Sequence, residues 1–285
     1  MKRVIEATAD GEVRARLPVA GVDGEPSHLA VRLARPVRQA GERPARFAYL
    51  YLHGFGSAQS GEKADFFRER ALADGIPFCS FDFQGHGESG GTMRDLTFSR
   101  NLEDLGAVHD FLASQGLGAV VLIGSSMGGA TALWHAARRP AQVLASLLIA
   151  PAVGMGRGLE RWAGAEGLAR WRREGSIRYS NALVESDLGW GLITDLRRYD
   201  LEVLQASYRT PTLVLQGKLD DTVDYRDVTR FVARSPGGNF RLRLFEDGDH
   251  RLTGRKEELW SEMRDFLVQS RLLPPAASAA GVPAS

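Results

Sequence analysis

Short apolar runs alternate with helical patterns along most of this 285-residue sequence. Continuous apolar runs are typical of strands in a parallel sheet that is covered on both faces. The helical patterns, with apolar residues three and four positions apart, lie between these runs or follow them. The alternation predicts an α/β fold with a mostly parallel, doubly wound sheet. The expected strands are 47–52, 76–83, 118–124, 145–150, 211–216 and 240–245, and the expected helices are 62–73, 98–115, 126–138 and 255–269.

Two parts of the chain depart from this alternation. Short β-rich stretches precede it at 3–7, 12–17 and 28–34, separated by turn residues. From about residue 152 to residue 208 we find no convincing strand, and a connection of roughly 60 residues is far longer than usual. We therefore predict an inserted helical cap. The predicted division is a core of 1–151 and 209–271, a cap at 152–208 and a low-complexity tail at 272–285.

Charge and cysteine content argue against several classes of protein. The formal net charge is +1, so it indicates neither nucleic acid nor an anionic membrane as a partner. No apolar segment is long enough to span a bilayer, and no signal-peptide pattern follows Met1, so we expect a cytoplasmic protein. Cys79 is the single cysteine. Because it lies in an apolar run, we expect a small buried hydrophobe rather than a reactive thiol.

A G-x-S-x-G pattern centred on Ser126 joins an aliphatic run to a helical pattern. Ser125 does not fit the pattern, because Ile123 would occupy the position of the first glycine. A nucleophilic serine needs a sharp turn that lifts it above the sheet edge, and glycines at 124 and 128 let strand and helix approach closely. The pattern alone also describes an ordinary Gly/Ser turn. The strand before it and the helix after it favour a nucleophile at Ser126.

A serine nucleophile also needs hydrogen-bond donors for the oxyanion that forms during acyl transfer. On such a turn one donor is the amide of the following residue, here Met127. The second donor is expected in the loop after strand 47–52, which reads His53-Gly54-Phe55-Gly56. The Phe55 amide is our predicted second donor. For His53 we favour a role in ordering the loop over a role in the chemistry.

The general base is expected to come last in chain order, after the nucleophile and the acid. Only His250 follows a late strand in a loop, whereas His109 and His135 lie in predicted helices as ordinary core residues. The other histidines are 28, 53 and 86. We therefore predict His250 as the base.

The acid that orients the base is expected after strand 211–216. Asp220 follows the glycine at 217 by three positions and is our choice, with Asp221 as the main alternative. Asp224 more naturally caps a helix that begins at Tyr225.

With these parts in order, the sequence resembles the α/β-hydrolase superfamily over roughly residues 25–270. It looks most like the serine-aminopeptidase-like and abhydrolase groups, which include feruloyl-type carboxylesterases and acyl-protein thioesterases. The resemblance implies Asp220 rather than Asp221 as the acid. The blocks that carry it are Leu52-His53-Gly54-Phe55-Gly56, Phe81-Asp82-Phe83-Gln84-Gly85-His86-Gly87-Glu88-Ser89, Gly124-Ser125-Ser126-Met127-Gly128-Gly129 and Gly217-Lys218-Leu219-Asp220-Asp221-Thr222-Val223.

The predicted function is hydrolysis of a small-molecule acyl ester through an acyl-enzyme, with no metal or organic cofactor. Thioester and peptide hydrolysis are alternatives on the same residues, and a non-catalytic binding module is a third. Aromatic residues of the cap could line an acyl pocket or could pack against the sheet. Residues 154–178 hold six arginines against three glutamates, which could attract an anionic leaving group or form a solvated face.

Overall fold

The computed structural model describes residues 4–7, 11–37, 45–180 and 184–275. Within these ranges the chain forms eleven β-strands and eight α-helices. The strands are β1 (Val4–Ala7), β2 (Val13–Ala20), β3 (Pro26–Ala34), β4 (Ala48–Leu52), β5 (Phe78–Phe81), β6 (Val120–Ser125), β7 (Val143–Ile149), β8 (Ser176–Ser180), β9 (Glu185–Gly189), β10 (Thr212–Gly217) and β11 (Phe240–Phe245). The helices are α1 (Glu62–Ala73), α2 (Phe98–Ser114), α3 (Met127–Arg138), α4 (Met155–Glu174), α5 (Gly191–Leu196), α6 (Leu201–Ser207), α7 (Tyr225–Ala233) and α8 (Lys256–Gln269).

One large sheet organises the described part of the chain, with strand order β1-β2-β3-β5-β4-β6-β7-β10-β11. The strands from β5 to β11 in this order run parallel, while β1, β2 and β3 are antiparallel additions at one side. The predicted α/β architecture is therefore confirmed. Because the parallel strands end at one edge, the loops after β4, β6, β10 and β11 meet there, where such sheets bind their ligands.

Alternate residues of each central strand enter separate cores on the two faces of the sheet. Along β6, Leu122 joins the cluster that contains the apolar faces of α2 and α3, while Val121 and Ile123 join the cluster that contains α1 and α8. All three side chains are fully buried. Burial of one such aliphatic side chain contributes about 1.5–3 kcal/mol. Helices on both faces explain why the strands are apolar along their whole length.

The cap region contains a feature that the sequence analysis missed. We expected no strand in 152–208, but β8 and β9 form an antiparallel hairpin there, with Ile177 opposite Leu188. Each strand has five residues, several of them polar, so neither produces a continuous apolar run. The expectation of no strand in this segment is wrong for this reason, although α4, α5 and α6 also lie in it. The hairpin is stabilised because Ile177 and Leu188 are buried in the main core.

The start of the predicted tail is also displaced. Leu272 and Leu273 pack against the core cluster that contains α8, although we placed them in the low-complexity tail 272–285. Residues 276–285 lie outside the described residues. Elsewhere the shifts are small, and the expected strand 76–83 narrows to Phe78–Phe81.

Two further expectations concern burial. Cys79 is fully buried in β5, and burial raises the pKa of its thiol, so the thiolate is disfavoured as expected. Among the described residues, no helix combines the length and apolar character needed to cross a bilayer.

Two histidines pair inside the core between α2 and α3, as expected for helical histidines with satisfied hydrogen bonds. His109 Nε2 donates to the carbonyl of Gly118 at 3.0 Å, which leaves its Nδ1 as an acceptor 2.8 Å from His135 Nε2. An imidazole that accepts at one nitrogen is uncharged, so His109 is neutral in this pair. Burial is the main cause that lowers the pKa of both, that of His135 to about 3.

This pair makes the fold sensitive to acid. Below pH 6.5 the unfolded chain binds a proton at His135 that the folded chain does not bind, so stability falls as the pH drops toward the folded pKa. Between pH 6.5 and pH 5 this loss amounts to about 2 kcal/mol. His135→Gln keeps a donor for His109 but does not titrate there. Urea unfolding measures the free energy of unfolding at pH 7 and pH 5. Its decrease between these pH values should be smaller in His135→Gln than in wild type by about that amount. An equal decrease in both proteins would contradict the role of His135.

Candidate active site

Ser126 occupies a strained turn between β6 and α3. Its backbone angles are φ 51° and ψ −113°, in the left-handed range that side chains other than glycine rarely adopt. Neighbouring strands hold the turn, since Ser126 N–H donates to Ile149 O at 2.9 Å and Ala152 N–H donates to Ser126 O at 3.0 Å. The serine therefore stands at the sheet edge, half-exposed, where the sequence pattern predicted it.

The glycines around Ser126 are required by space. A Cβ atom at Gly128 would lie 2.4 Å from Leu52 O, and one at Gly124 would lie 2.7 Å from Gly128 O. Both distances are too short for any side chain. The first turn of α3 can pass over the ends of β4 and β6 only because these positions lack a Cβ atom.

His250 lies between Ser126 and Asp220. Its Nδ1 is 2.8 Å from Asp220 Oδ2, and its Nε2 is 3.1 Å from Ser126 Oγ. A carboxylate only accepts hydrogen bonds, so Nδ1 carries the proton and Nε2 accepts from the Ser126 hydroxyl. The structure thus brings together the three side chains that the sequence analysis selected from separate loops.

Asp220 is fixed by several donors besides His250. Its Oδ1 accepts from the Val223 and Thr222 amides at 2.7 and 2.9 Å, and Gln216 Nε2 donates to Oδ2 at 2.9 Å. Burial alone would raise the pKa of the Asp220 carboxyl, but the hydrogen bonds, led by that from His250, hold it below its usual value. Asp220 is therefore charged at neutral pH and holds the imidazole in one tautomer.

The neighbouring acids lie differently. Asp221 is exposed, and its carboxylate accepts from the Thr222 hydroxyl at 3.1 Å rather than contacting His250. Asp224 accepts from the Arg226 amide at the first turn of α7, which confirms the helix cap expected at that residue.

The loops that carry Asp220 and His250 touch through two glycines. A Cβ at Gly217 would lie 2.2 Å from Gly248 O, and Leu219 N–H donates to that same carbonyl at 2.9 Å. This contact fixes the distance between the ends of β10 and β11. Beyond His250 the chain turns through Leu252, which has φ 47° and packs into the core.

The predicted oxyanion donors border the same space as Ser126. Met127 is the first residue of α3, and the first amides of a helix have no acceptor within the helix. Among the described residues, the Phe55 amide also has no acceptor. A Cβ at Gly54 would lie 3.4 Å from Ser126 Cβ, so the Phe55 loop passes directly beside the serine.

Two buried histidines order this loop, and one of them was missed in the sequence. His53 accepts from the Phe83 amide at 3.1 Å and bonds the Gly54 carbonyl at 2.8 Å. His86, to which we assigned no role from the sequence, accepts from the Gly56 amide at 3.2 Å. Burial lowers the pKa of His53 to about 4 and that of His86 to about 3, so both are neutral. Their role as acceptors depends on that neutrality.

Asp82 connects the same loops through hydrogen bonds that its carboxylate accepts. Its carboxylate accepts from the Gln59 amide at 2.6 Å, from Gln59 Nε2 at 2.9 Å and from the Glu88 amide at 2.9 Å. A Cβ at Gly87 would lie 2.2 Å from this carboxylate, so the turn after β5 depends on glycine there. The block Phe81–Ser89 is thus a scaffold for the Phe55 loop.

A cavity of about 890 Å³ opens over Ser126 beneath the cap. One wall is aromatic: the Phe55 and Tyr179 ring centroids are 5.3 Å apart, and those of Tyr179 and Trp162 are 4.9 Å apart. The missed hairpin supplies Tyr179. Trp171 is instead fully buried, so the cap aromatics divide between the two roles that we considered.

The arginines around this cavity are paired. Arg161 and Arg230 both contact Asp227, at 3.4 and 2.6 Å. Elsewhere in the cap, Arg178 pairs with Glu185 at 3.0 Å. The arginine-rich segment therefore behaves more as a solvated face than as an anion site. Among the described residues, no cluster of three His, Cys, Asp or Glu side chains could hold a metal ion.

The tight contact at Gly128 generates a prediction. Gly128→Ala forces a Cβ into the Leu52 carbonyl and should lower the free energy of unfolding by about 3 kcal/mol or more. Gly158→Ala is the matched control, because a Cβ at this position of α4 has no atom within 4 Å. It should stabilise the protein slightly, by up to about 1 kcal/mol. Thermal unfolding of both variants measures the difference, and equal melting temperatures would contradict it.

Comparison with known proteins gives consistent matches. The family model described as serine aminopeptidase, S33, matches residues 43–182. A Mycoplasma genitalium protein named esterase/lipase 2 is 39% identical over 105 residues, which cover 36% of this chain and 37% of that protein. Mouse mitochondrial palmitoyl-protein thioesterase ABHD10 is 25% identical over 215 residues, which cover 71% of this chain and 68% of that protein.

A solved structure extends the likeness to nearly the whole chain. A hydrolase from Agrobacterium vitis S4 has a TM-score of 0.78 and 27% identity, and the match covers 92% of this chain and 99% of that one. The match to the Mycoplasma protein, in contrast, spans only 37% of its length. Together, the sheet topology, the strained serine turn and these matches confirm the resemblance stated from the sequence blocks. The chain has the α/β-hydrolase fold, and the relatives that it matches are named esterases, lipases and thioesterases.

Proposed function

We propose that this chain is a serine hydrolase that cleaves carboxylic esters through an acyl-enzyme, with Ser126 as nucleophile, His250 as base and Asp220 as acid. The observation that carries the proposal is the position of the His250 ring, hydrogen-bonded to Asp220 on one side and to Ser126 on the other. A serine hydroxyl is a weak nucleophile until a neighbouring base removes its proton.

The reaction follows from the hydrogen bonds. Ser126 Oγ attacks the ester carbonyl carbon while His250 Nε2 accepts the hydroxyl proton, and Asp220 stabilises the resulting imidazolium. The carbon–oxygen bond to the alcohol then breaks, and the alcohol leaves with the proton from His250. Water attacks the acyl-enzyme by the same route in reverse order, which releases the carboxylic acid and restores Ser126.

The amides of Phe55 and Met127 are the proposed oxyanion donors. Both border the cavity at Ser126, and neither donates to another group of the described chain. Loss of one such donor typically costs about 3–4 kcal/mol of transition-state stabilisation. The neutral His53 and His86 hold the Phe55 loop so that its amide keeps one direction, which makes the donor preorganised rather than mobile.

The cavity favours an uncharged, partly apolar substrate. Its volume of about 890 Å³ lies in the range of sites that enclose drug-sized ligands. Phe55, Tyr179 and Trp162 offer ring faces and edges to an acyl or aromatic group, while the nearby Arg161 and Arg230 are both engaged by Asp227. We therefore propose esters without a charged group close to the carbonyl.

A thioester is the second candidate substrate. The similarity to mouse ABHD10, named a palmitoyl-protein thioesterase, over 71% of this chain favours it. The same side chains can cleave either bond. A thiolate is a better leaving group than an alkoxide, so it depends less on protonation by His250.

Covalent labelling tests the nucleophile directly. The intact protein should react with a fluorophosphonate probe at Ser126, and Ser126→Ala should lose both labelling and, on the order of 10⁶-fold, esterase kcat. Ser125→Ala is the control, because the neighbouring hydroxyl does not contact His250. Failure of the folded wild-type protein to react would contradict the proposal.

The type of bond that is cleaved can be determined by measuring turnover of three sets of substrates. These are p-nitrophenyl esters of increasing chain length, acyl-thioesters and aminoacyl anilides. Turnover of the anilides alone would exclude an esterase.

The acid generates a separate prediction. Asp220→Asn should lower kcat by roughly 10⁴-fold, because an amide no longer holds the required imidazole tautomer or stabilises its charge. Asp221→Asn, at the next position, should change kcat less than about threefold, as expected for an exposed surface substitution. Steady-state kinetics on the best ester compare the two, and a large loss in Asp221→Asn alone would reverse the assignment.

A further inference from the structure

Lys63 lies in the first turn of α1, beside the loops that carry Ser126 and His250. Its Nζ donates to the backbone carbonyl of Arg251 at 2.6 Å and lies 3.5 Å from Ser125 Oγ. The two partners are sequence neighbours of His250 and Ser126. No role for Lys63 emerged from the sequence motifs, and it does not border the cavity above Ser126.

The surroundings of Lys63 are unusual for a lysine. Among the described residues, Lys63 forms no ion pair with a carboxylate within 4 Å, although it is partly buried. Burial of an ammonium without an ion partner is costly, so such residues normally have a specific role. Burial lowers its pKa to about 8, and the facing charges are Arg251, which lowers that pKa further, and Asp249, which raises it. Lys63 is thus charged at neutral pH.

The loop after β11 makes a strained turn beyond His250. Leu252 has φ 47°, so the chain beyond His250 is held in a conformation that a leucine disfavours. Asp249 accepts from the Leu252 amide at 2.7 Å, which closes the turn but does not attach it to the rest of the site. Before His250 the loop is tied to the Asp220 loop through the Gly248 carbonyl. Beyond His250 the ammonium of Lys63 joins it to α1 by a charged hydrogen bond to Arg251 O.

We propose that Lys63 is a positioning residue, whose ammonium fixes the Arg251 carbonyl and thereby holds His250 at hydrogen-bond distance from Ser126. This inference rests on the proposed function of Ser126 and His250. Lys63 itself touches neither the substrate nor the reacting atoms. A displacement of about 1 Å in a reacting group can cost roughly 100-fold in rate, so the anchor acts on kcat rather than on binding.

The test uses the full chain with Lys63→Met, Lys63→Arg and Lys256→Met. Lys256 is the matched control, because it also joins α1 to the C-terminal part, through Glu62 at 2.6 Å, but does not contact the His250 loop. Lys63→Met should lower kcat about 10- to 100-fold with KM within about twofold. Lys63→Arg should restore most of kcat, and Lys256→Met should leave kcat unchanged. Thermal unfolding of each variant shows whether it is folded.

A pH profile separates positioning from a general structural role. Wild-type kcat should fall above pH 8 as Lys63 loses its proton and the charged hydrogen bond weakens. Lys63→Arg should lack this fall, since a guanidinium stays charged to much higher pH. If Lys63→Met does not fold, the Lys63→Arg profile alone decides.

Two results would overturn the inference. One is a kcat equal to that of wild type in folded Lys63→Met. The other is an identical decrease of kcat above pH 8 in wild type and Lys63→Arg. Fluorophosphonate labelling distinguishes failure of this inference from failure of the proposed function. A wild-type protein that does not label at Ser126 contradicts the proposed function. Normal labelling rates in both wild type and Lys63→Met contradict only the role of Lys63.

Discussion

The turn at Ser126 is the constraint on which the rest of the site depends. The first turn of α3 lies so close to the ends of β4 and β6 that Gly124 and Gly128 cannot carry side chains. This approach forces Ser126 to φ 51°, and the backbone contacts to Ile149 and Ala152 hold it there. Local strain of this kind costs about 1–3 kcal/mol and persists only where the surroundings over-determine it. Here a parallel sheet buried on both faces supplies that rigidity.

A second layer of buried polar groups transmits this rigidity to the loops. Asp82, His53 and His86 satisfy backbone amides of the Phe55 loop and of the turn after β5. The two rings accept only while they are neutral, and burial is the main cause that lowers the pKa of both. Protonation of either ring would replace an acceptor by a donor facing an amide N–H. The loop beside Ser126 is therefore ordered by two buried histidines, distinct from the pair His109 and His135 in the core, that must also stay neutral.

The predictability of each part follows from the range of the interactions that produce it. Strands such as Val120–Ser125 were predictable because burial on both faces leaves a continuous apolar pattern. The grouping of Ser126, Asp220 and His250 was predictable because parallel strands end at one edge and each residue follows such a strand. The β8–β9 hairpin was not, since its short strands are stabilised by contacts of Ile177 and Leu188 with distant core residues.

The same reasoning explains why His86 and Lys63 were missed. Neither lies in a sequence pattern that distinguishes a structural from a chemical role, because each acts on a backbone group far away in the chain: His86 on the Gly56 amide and Lys63 on the Arg251 carbonyl. A hydrogen bond to a backbone group does not restrict the residue type of the partner, so the sequence does not reveal it. A motif can therefore identify the side chains that meet a substrate, whereas the groups that hold those side chains in place become visible only when the loops are folded together.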